Sequence, residues 1–207
     1  MRNDGVRAGR LLGGLSAAGE LMSKKHGPWT INATRQVYEG FFVELYEDDV
    51  IKPDGAPGKY ATAHLQPGVT VLALDADGFV HLVRDFRYAL GRESVEVVGG
   101  AIDEGECPEE SARRELKEEL GIEAEEWIDL GVYDPVTSIV RSESRMFLAR
   151  GLKFKEPDQD GSENLRPIRV KLEEAVRMVM ENEITHGQSC VLILKAEQFL
   201  RSGKEAS

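Results

Sequence analysis

The sequence has few cysteines, no long apolar run and fewer basic than acidic side chains. Cys107 and Cys190 are its only cysteines, which argues against a disulfide framework or a cysteine-based zinc site and predicts a reducing, cytoplasmic compartment. No apolar stretch approaches the length that spans a bilayer. The 26 basic and 37 acidic side chains give a net charge of −11. We therefore expect the chain to bind neither nucleic acid nor an anionic membrane, since both would repel it.

The length and the pattern of apolar residues predict one domain of ordinary size with a small extra lobe. Short strand-like runs around a Pro- and Gly-rich turn at 52–58 indicate an antiparallel lobe, and longer runs with helical spacing near the C-terminus indicate helices beside a sheet. We predict a flexible arm over 1–25, the β lobe over 26–66, the main domain over 67–201 and a flexible tail over 202–207. The fold class expected is α+β, with a mixed sheet between helices in an α/β/α sandwich.

The strongest signal is the stretch GAIDEGECPEESARRELKEELGI, residues 100–122. At about 100° per residue, Glu115, Glu118 and Glu119 lie along one side of a helix. Like charges at this spacing repel each other, so we expect a cation to lie over them. Mg²⁺ suits such a site because it takes oxygen ligands and keeps positions for water and substrate phosphates.

The limits of this helix can be predicted from its ends. Pro108 suits the first helical position, and Gly121 suits a left-handed C-terminal cap. Ala112 and Leu116 begin an apolar edge beside the carboxylates. Two glycines, Gly99 and Gly100 in the printed sequence, allow the backbone before the helix to approach a ligand closely.

This stretch resembles the Nudix box of the Nudix hydrolases, which reads G, five residues, E, seven residues, R-E-apolar-x-E-E-x-G-apolar. The positions that match are Gly100, Glu106, Arg114, Glu115, Leu116, Glu118, Glu119, Gly121 and Ile122. The alternative is a solvated, Glu-rich surface helix. It explains neither the flanking glycines nor the arginine.

Most of 29–199 also resembles the ADP-ribose pyrophosphatase branch of that family. In LVRDFRYALGRESVEVVGGAIDEGE, Arg87 and Glu96 stand at the branch's arginine and glutamate positions, whereas Val98 and Gly99 stand where Pro-Ala is usual. The resemblance implies hydrolysis of the pyrophosphate in a nucleoside diphosphate derivative, with ADP-ribose giving AMP and ribose 5-phosphate. The alternatives are a nucleotide sugar, a dinucleotide cofactor, or a module that senses a nucleotide without cleaving it.

The resemblance also implies roles for individual residues. Glu115 and Glu119 are the expected direct ligands of Mg²⁺, or of Mn²⁺ in its place, with Glu118 and the Gly99 carbonyl as further ligands. Arg114 is expected to orient a carboxylate, and Glu106 is its predicted partner, because the planar guanidinium suits bidentate pairing.

Outside the box the predicted roles stay open. Glu143 is the candidate general base, with a metal ligand or an ordinary loop acid as alternatives. Arg87 and Arg141 contact substrate or are simply solvated. Glu96 binds a sugar or adenine edge or pairs with an arginine.

Two further expectations concern the rest of the chain. The four histidines lack metal-ligand spacing and are expected to be structural or exposed. By resemblance, the N-terminal lobe predicts a homodimer that shares its site between subunits.

Overall fold

The structure is a computed structural model that describes residues 10–11, 23–155 and 165–203. These divide into two compact units. The first holds the described residues up to Gln66 together with Val136–Ser142, and the second holds Pro67–Pro135 and the described residues from Glu143 onward. The segment 136–142, which the sequence analysis assigned to the main domain, therefore belongs to the first unit.

In chain order the elements are β1 Arg10–Leu11, β2 Lys24–His26, β3 Trp29–Glu39, β4 Val43–Ile51, β5 Pro57–Leu65, β6 Gly68–Leu74, β7 Phe79–Arg87, β8 Arg92–Glu96, β9 Val98–Ala101, α1 Pro108–Leu120, β10 Ile122–Tyr133, β11 Val140–Arg141, β12 Ser144–Phe154, β13 Arg166–Lys171, α2 Leu172–Met180 and α3 Gly187–Arg201. None of the helices in these described ranges is long and apolar enough to cross a membrane.

The first unit is a sheet with the strand order β1-β3-β4-β5-β11, and β2 also pairs with β3. Its strands are antiparallel except that β11 runs parallel to β5. The turn between β4 and β5 is set by Asp54, whose carboxylate accepts the Ala56 N–H at 2.9 Å, and by Gly55 at φ 85°. A left-handed φ of this kind favours glycine.

Two described segments of the predicted arm, residues 1–25, pair with strand β3. Arg10–Leu11 pairs with Glu39 and Tyr38 of β3, and Lys24–His26 pairs with the start of the same strand. The backbone hydrogen bonds of β3 thus fix two segments whose own composition gives little strand signal. Residues 1–9 and 12–22 of the arm, and 204–207 of the predicted tail, lie outside the described residues.

The second unit is a mixed sheet in which β6 and β7 separate. They pair only at Ala73 with His81 and at Leu74 with Val80. Beyond that point β9 takes the free edge of β6 and β8 takes the free edge of β7. The segment 92–101 therefore runs between the two strands and changes partner at Val97. The outer strands are β12 and β10 on one side and β13 on the other.

The two faces of this sheet pack against different helices. Val69 and Val71 of β6 are buried with Leu116 of α1, whereas Leu72 points into a second core with Leu192 of α3. This alternation follows from the period of two along a strand. The mixed sheet between helices confirms the predicted α+β sandwich.

Helix α1 has the limits that the sequence predicts. Pro108 is its first residue, Cys107 is its N-cap, and Gly121 closes it at φ 63° while donating its N–H to the Lys117 carbonyl at 2.9 Å. Strand β13 was not predicted. Strand β12 extends to Phe154, and residues 156–164 lie outside the described ranges.

Candidate active site

Helix α1 places the Glu115 carboxylate directly against the backbone of β9. A Cβ built on Gly100 would lie 2.2 Å from the Cδ and the Oε1 of Glu115. Any larger residue at 100 would therefore displace the carboxylate. Gly99 has a different constraint, since its Cβ would lie 2.8 Å from the Val69 carbonyl of the neighbouring strand. Gly100 is thus needed for the position of the Glu115 carboxylate, and Gly99 for the close packing of β9 on β6.

Arg114 bonds the segment that precedes α1 to the helix itself. Its Nε and Nη2 donate to the two carboxylate oxygens of Glu106, each at 3.0 Å, which is the bidentate pair that the sequence predicts. Nη2 also donates to the Ala101 carbonyl at 3.0 Å. The Ser111 hydroxyl adds a bond to Glu106 Oε2 at 2.6 Å. The segment before the helix is therefore fixed to its second turn.

These bonds determine the charge state of the pair. Hydrogen bonds from Arg114, and then from Ser111, lower the pKa of Glu106 to about 2. The same bonds raise the pKa of Arg114 above its ordinary value. Both groups stay charged across the physiological pH range.

The remaining donor of Arg114 faces the carboxylate side of α1. Its Nη1 donates to Glu115 at 2.5 Å and to Glu118 at 3.3 Å. Glu119, on the same side of the helix, is only 8 % exposed. A positive group already lies between two of the three carboxylates, which agrees with the predicted need for a cation.

The donor set fits a hard divalent cation in its chemistry. Three carboxylates lie on one side of α1. Gly100 has no side chain, which lets the Glu115 carboxylate approach the backbone of β9 closely. Within the described ranges, however, no three acidic, histidine or cysteine side chains converge on one point. Glu115 and Glu118 both accept hydrogen bonds from the Arg114 guanidinium. A bound cation would compete with that guanidinium for the same oxygens.

Arg87 and Glu96 lie at the ends of β7 and β8 and pair with each other. Arg87 donates from Nε at 3.1 Å and from Nη2 at 2.7 Å to the two oxygens of Glu96, and from Nη1 to Asp85 at 3.1 Å. The Glu96 side chain is 6 % exposed, against 42 % for Arg87. Glu96 thus pairs with an arginine, and its contact with a sugar or adenine edge stays a prediction. The guanidinium is the partner that reaches solvent.

Electrostatics place this pair beside the carboxylates of α1. Hydrogen bonding to Glu96 is the main cause of a raised Arg87 pKa, and the charge of Glu119 contributes. Burial works to raise the pKa of Glu96, but hydrogen bonds, with that from Arg87 first among them, and nearby positive charge together outweigh it, so the net shift is downward. An ionised, oriented arginine therefore lies within electrostatic reach of the carboxylate helix.

Glu143 is exposed and immediately precedes β12. Its carbonyl accepts the Gly68 N–H at 2.8 Å. Ser144 pairs with Gly68, and Gly68 pairs on its other edge with Ala101. Two strand spacings of about 4.8 Å place Ser144 roughly 10 Å from Ala101. Glu143 therefore begins its strand at the sheet end where Arg114 contacts β9, and its role as general base stays a prediction.

Arg141 belongs to the first unit, where it forms β11 with Val140 and lines a cleft of about 1080 Å³. Trp29, Tyr60 and His64 also line this cleft. Arg141 and Glu143 are two residues apart in the sequence, yet they belong to different units. A contact of Arg141 with substrate stays a prediction.

Two residues near the site were missed by sequence reasoning. His186 Nδ1 lies 3.4 Å from Glu96 Oε2 and 2.9 Å from the Ser189 hydroxyl, and that hydroxyl accepts the Val97 N–H at 3.0 Å. The sequence spacing gives no signal for these contacts, because about 90 residues separate the partners.

Comparisons with known proteins show the family and the fold. A family model described as NUDIX domain matches residues 64–189. An ADP-ribose pyrophosphatase from Bacillus subtilis (strain 168) is 30 % identical over 176 residues, which cover 83 % of this chain and 95 % of that protein. A methanol dehydrogenase activator from Bacillus methanolicus is 29 % identical over 164 residues, which cover 77 % and 88 %. A crystal structure of an ADP compounds hydrolase aligns with a TM-score of 0.75 over 87 % of this chain and 98 % of that one; at 21 % identity it shows the fold alone.

Proposed function

The chain belongs to the Nudix family and is a Nudix hydrolase, and we propose that its substrate is ADP-ribose, which it splits into AMP and ribose 5-phosphate with Mg²⁺. The observation that carries the proposal is that the Glu115 carboxylate lies against Gly100 and accepts a hydrogen bond from Arg114, which also bonds to Glu106. The named activity of the relative from Bacillus subtilis supports the choice of substrate.

The proposed metal ligands are Glu115, Glu118, Glu119 and the Gly99 carbonyl. When bound, Mg²⁺ or Mn²⁺ would neutralise charge on the diphosphate and lower the pKa of a water ligand. Arg114 holds the segment before α1 and orients the carboxylates beside it.

The protein's remaining task is to bind the diphosphate and to accept a proton. Arg87 has five N–H groups and uses three of them on Glu96 and Asp85, which leaves two for a phosphate oxygen. Arg141 is a further proposed contact. Glu143 is proposed to take the proton from the attacking water as the P–O bond to the leaving phosphate breaks.

The decisive experiment compares two neutral substitutions on one helix. Glu119→Gln keeps the shape of a buried carboxylate while removing its charge, and we expect kcat on ADP-ribose to fall by at least about 100-fold. Glu109→Gln is the matched control, because Glu109 is exposed in α1 and pairs with Arg113. Product formation is followed by chromatography of AMP with Mg²⁺, with Mn²⁺ and with chelator.

The substrate assignment needs a panel. We expect ADP-ribose to have the highest kcat/KM among ADP-ribose, a nucleotide sugar and a dinucleotide cofactor. A higher kcat/KM for either of the other compounds would make that compound the proposed substrate, and the assignment as a hydrolase would stand. If no member of the panel is cleaved, or if Glu119→Gln retains full activity, the proposal is wrong.

We also propose that the enzyme acts in the cytoplasm as a homodimer. Phe41 and Phe42 of the first unit are 62 % and 71 % exposed and pack edge to face on each other at 4.7 Å, an apolar surface of the kind that association would cover. Gel filtration at micromolar concentration tests this, and a monomeric elution volume would contradict it.

A further inference from the structure

His186 lies in the turn between α2 and α3, and its ring contacts both Ser189 of α3 and the Glu96 carboxylate. It is the N-cap residue of α3, yet within the described residues its side chain makes no capping hydrogen bond to that helix. Instead its Nδ1 lies 2.9 Å from the Ser189 hydroxyl and 3.4 Å from Glu96 Oε2. The ring is therefore directed at the carboxylate that holds Arg87.

The proton on Nδ1 follows from what surrounds it. Glu96 is ionised and can only accept, so the contact is attractive only when Nδ1 carries a hydrogen. The Ser189 hydroxyl can accept from the same hydrogen while it also accepts the Val97 N–H. Burial lowers the pKa of His186 and outweighs the nearby charge of Glu96. The lowered pKa favours the neutral ring, and the tautomer with its hydrogen on Nδ1 is the one that makes the contact with Glu96 favourable.

A second contact would help to fix the Glu96 carboxylate, because Arg87 also donates a hydrogen bond to Asp85. The guanidinium divides its donors between Glu96 and Asp85, and both acids lie on the β7–β8 hairpin. A contact from α3 fixes Glu96 from a separate element. Ser189 strengthens this link, since it binds the backbone at Val97, where β8 passes into β9.

We propose that His186 is a positioning residue for substrate binding, which acts through Glu96 to aim the Arg87 guanidinium at the diphosphate. The inference rests on the proposed function only in naming the diphosphate as the group that Arg87 meets. The turn before α3 would thus contribute to substrate affinity, although it lies outside helix α1, which carries the proposed carboxylate ligands of the metal. The effect on the chemical step is small, because His186 touches neither the Glu115 side of α1 nor the water.

The test separates affinity from turnover. We expect His186→Ala to raise KM for ADP-ribose about fivefold to tenfold, as for the loss of one polar contact with a charged group, and to leave kcat within twofold. His186→Asn, whose amide can donate from nearly the place of Nδ1, should restore KM to within twofold.

The matched control is His81→Ala. His81 is also a partly buried histidine beside a carboxylate, with Nε2 3.3 Å from Asp75. It bonds to Asp75 rather than to Glu96, and it lies six residues before Arg87 on β7, about 20 Å along the strand. We expect this variant to leave KM unchanged.

A second measurement does not depend on catalysis. In ¹⁵N-labelled protein, the Arg87 Nε–H signal, assigned with Arg87→Lys, should exchange slowly because it is bonded to Glu96. His186→Ala should speed its exchange and His186→Asn should restore it.

The outcomes are distinguishable. An unchanged KM with unchanged Arg87 exchange overturns the inference, and so does a fall in kcat that the asparagine variant does not rescue. If the wild-type protein cleaves no diphosphate, the proposed function fails, while the exchange measurement still decides whether His186 positions Arg87.

Discussion

Gly100→Ala tests the geometry of the site most directly. The added Cβ would lie 2.2 Å from two atoms of the Glu115 carboxylate, and ordinary contact begins at roughly 3.5 Å. The carboxylate must therefore move by more than about 1 Å. A displacement of that size in a catalytic group costs about 100-fold in rate, or about 2.7 kcal/mol. We expect kcat/KM on ADP-ribose to fall by that factor.

The same substitution should affect stability less. Gly100 has no positive φ, so its backbone conformation accepts alanine, and the partly exposed Glu115 side chain can swing toward solvent. We expect the free energy of unfolding in urea to fall by less than about 1 kcal/mol, below the usual cost of overpacking in a core.

Two other glycines provide matched comparisons. Gly58→Ala would contact only the flexible end of Lys52, so activity and stability should both be retained. Gly99→Ala would meet the Val69 carbonyl at 2.8 Å, so stability should fall by about 1–3 kcal/mol. If Gly100→Ala kept kcat/KM within threefold of wild type, Glu115 would not need its position against β9 and the reasoning would be refuted.

Two further predictions concern the contacts around the site. The lowered pKa of Glu106, about 2 in the folded protein, means that its ionisation stabilises the fold above its unfolded pKa near 4.5, and that this contribution is lost as pH falls toward 2. Glu106→Gln should therefore be less stable than wild type at pH 6, and the difference in urea unfolding should shrink toward pH 2; a constant difference would contradict the Arg114 pairing. Ser189→Ala leaves the buried Val97 N–H without its partner, which should cost about 1–3 kcal/mol and lower Tm by several degrees in calorimetry, and an unchanged Tm would show that this bond is replaced.

Local signals explain why the sequence predicted α1 so well. The fixed φ of Pro108, the left-handed cap at Gly121 and the spacing of Ala112 and Leu116 act within one or two helical turns. The pairing of Arg114 with Glu106 was also predicted, although that expectation came from the chemistry of the guanidinium together with the family resemblance. The roles of the carboxylates as metal ligands and of Glu143 as a base stay predictions.

Non-local pairing explains what the sequence did not predict. Strand β13 pairs with β7 across about 85 residues, and β11 is defined by a strand of the first unit. Short segments such as Lys24–His26 have no strand signal of their own, because the hydrogen bonds of a neighbouring strand order them. The assignment of 136–142 to the first unit has the same cause.

The sequence by itself determined the carboxylate helix, its limits, the glycines before it and the family, because each depends on residue types at fixed short spacings. Only the tertiary structure decided that Glu115 rests on Gly100, that the β8–β9 segment separates β6 from β7, and that Glu96 is held between Arg87 and His186. Those contacts join residues from distant parts of the chain. Their distances are set by the packing of a helix or a strand on the sheet, which no spacing along the chain encodes.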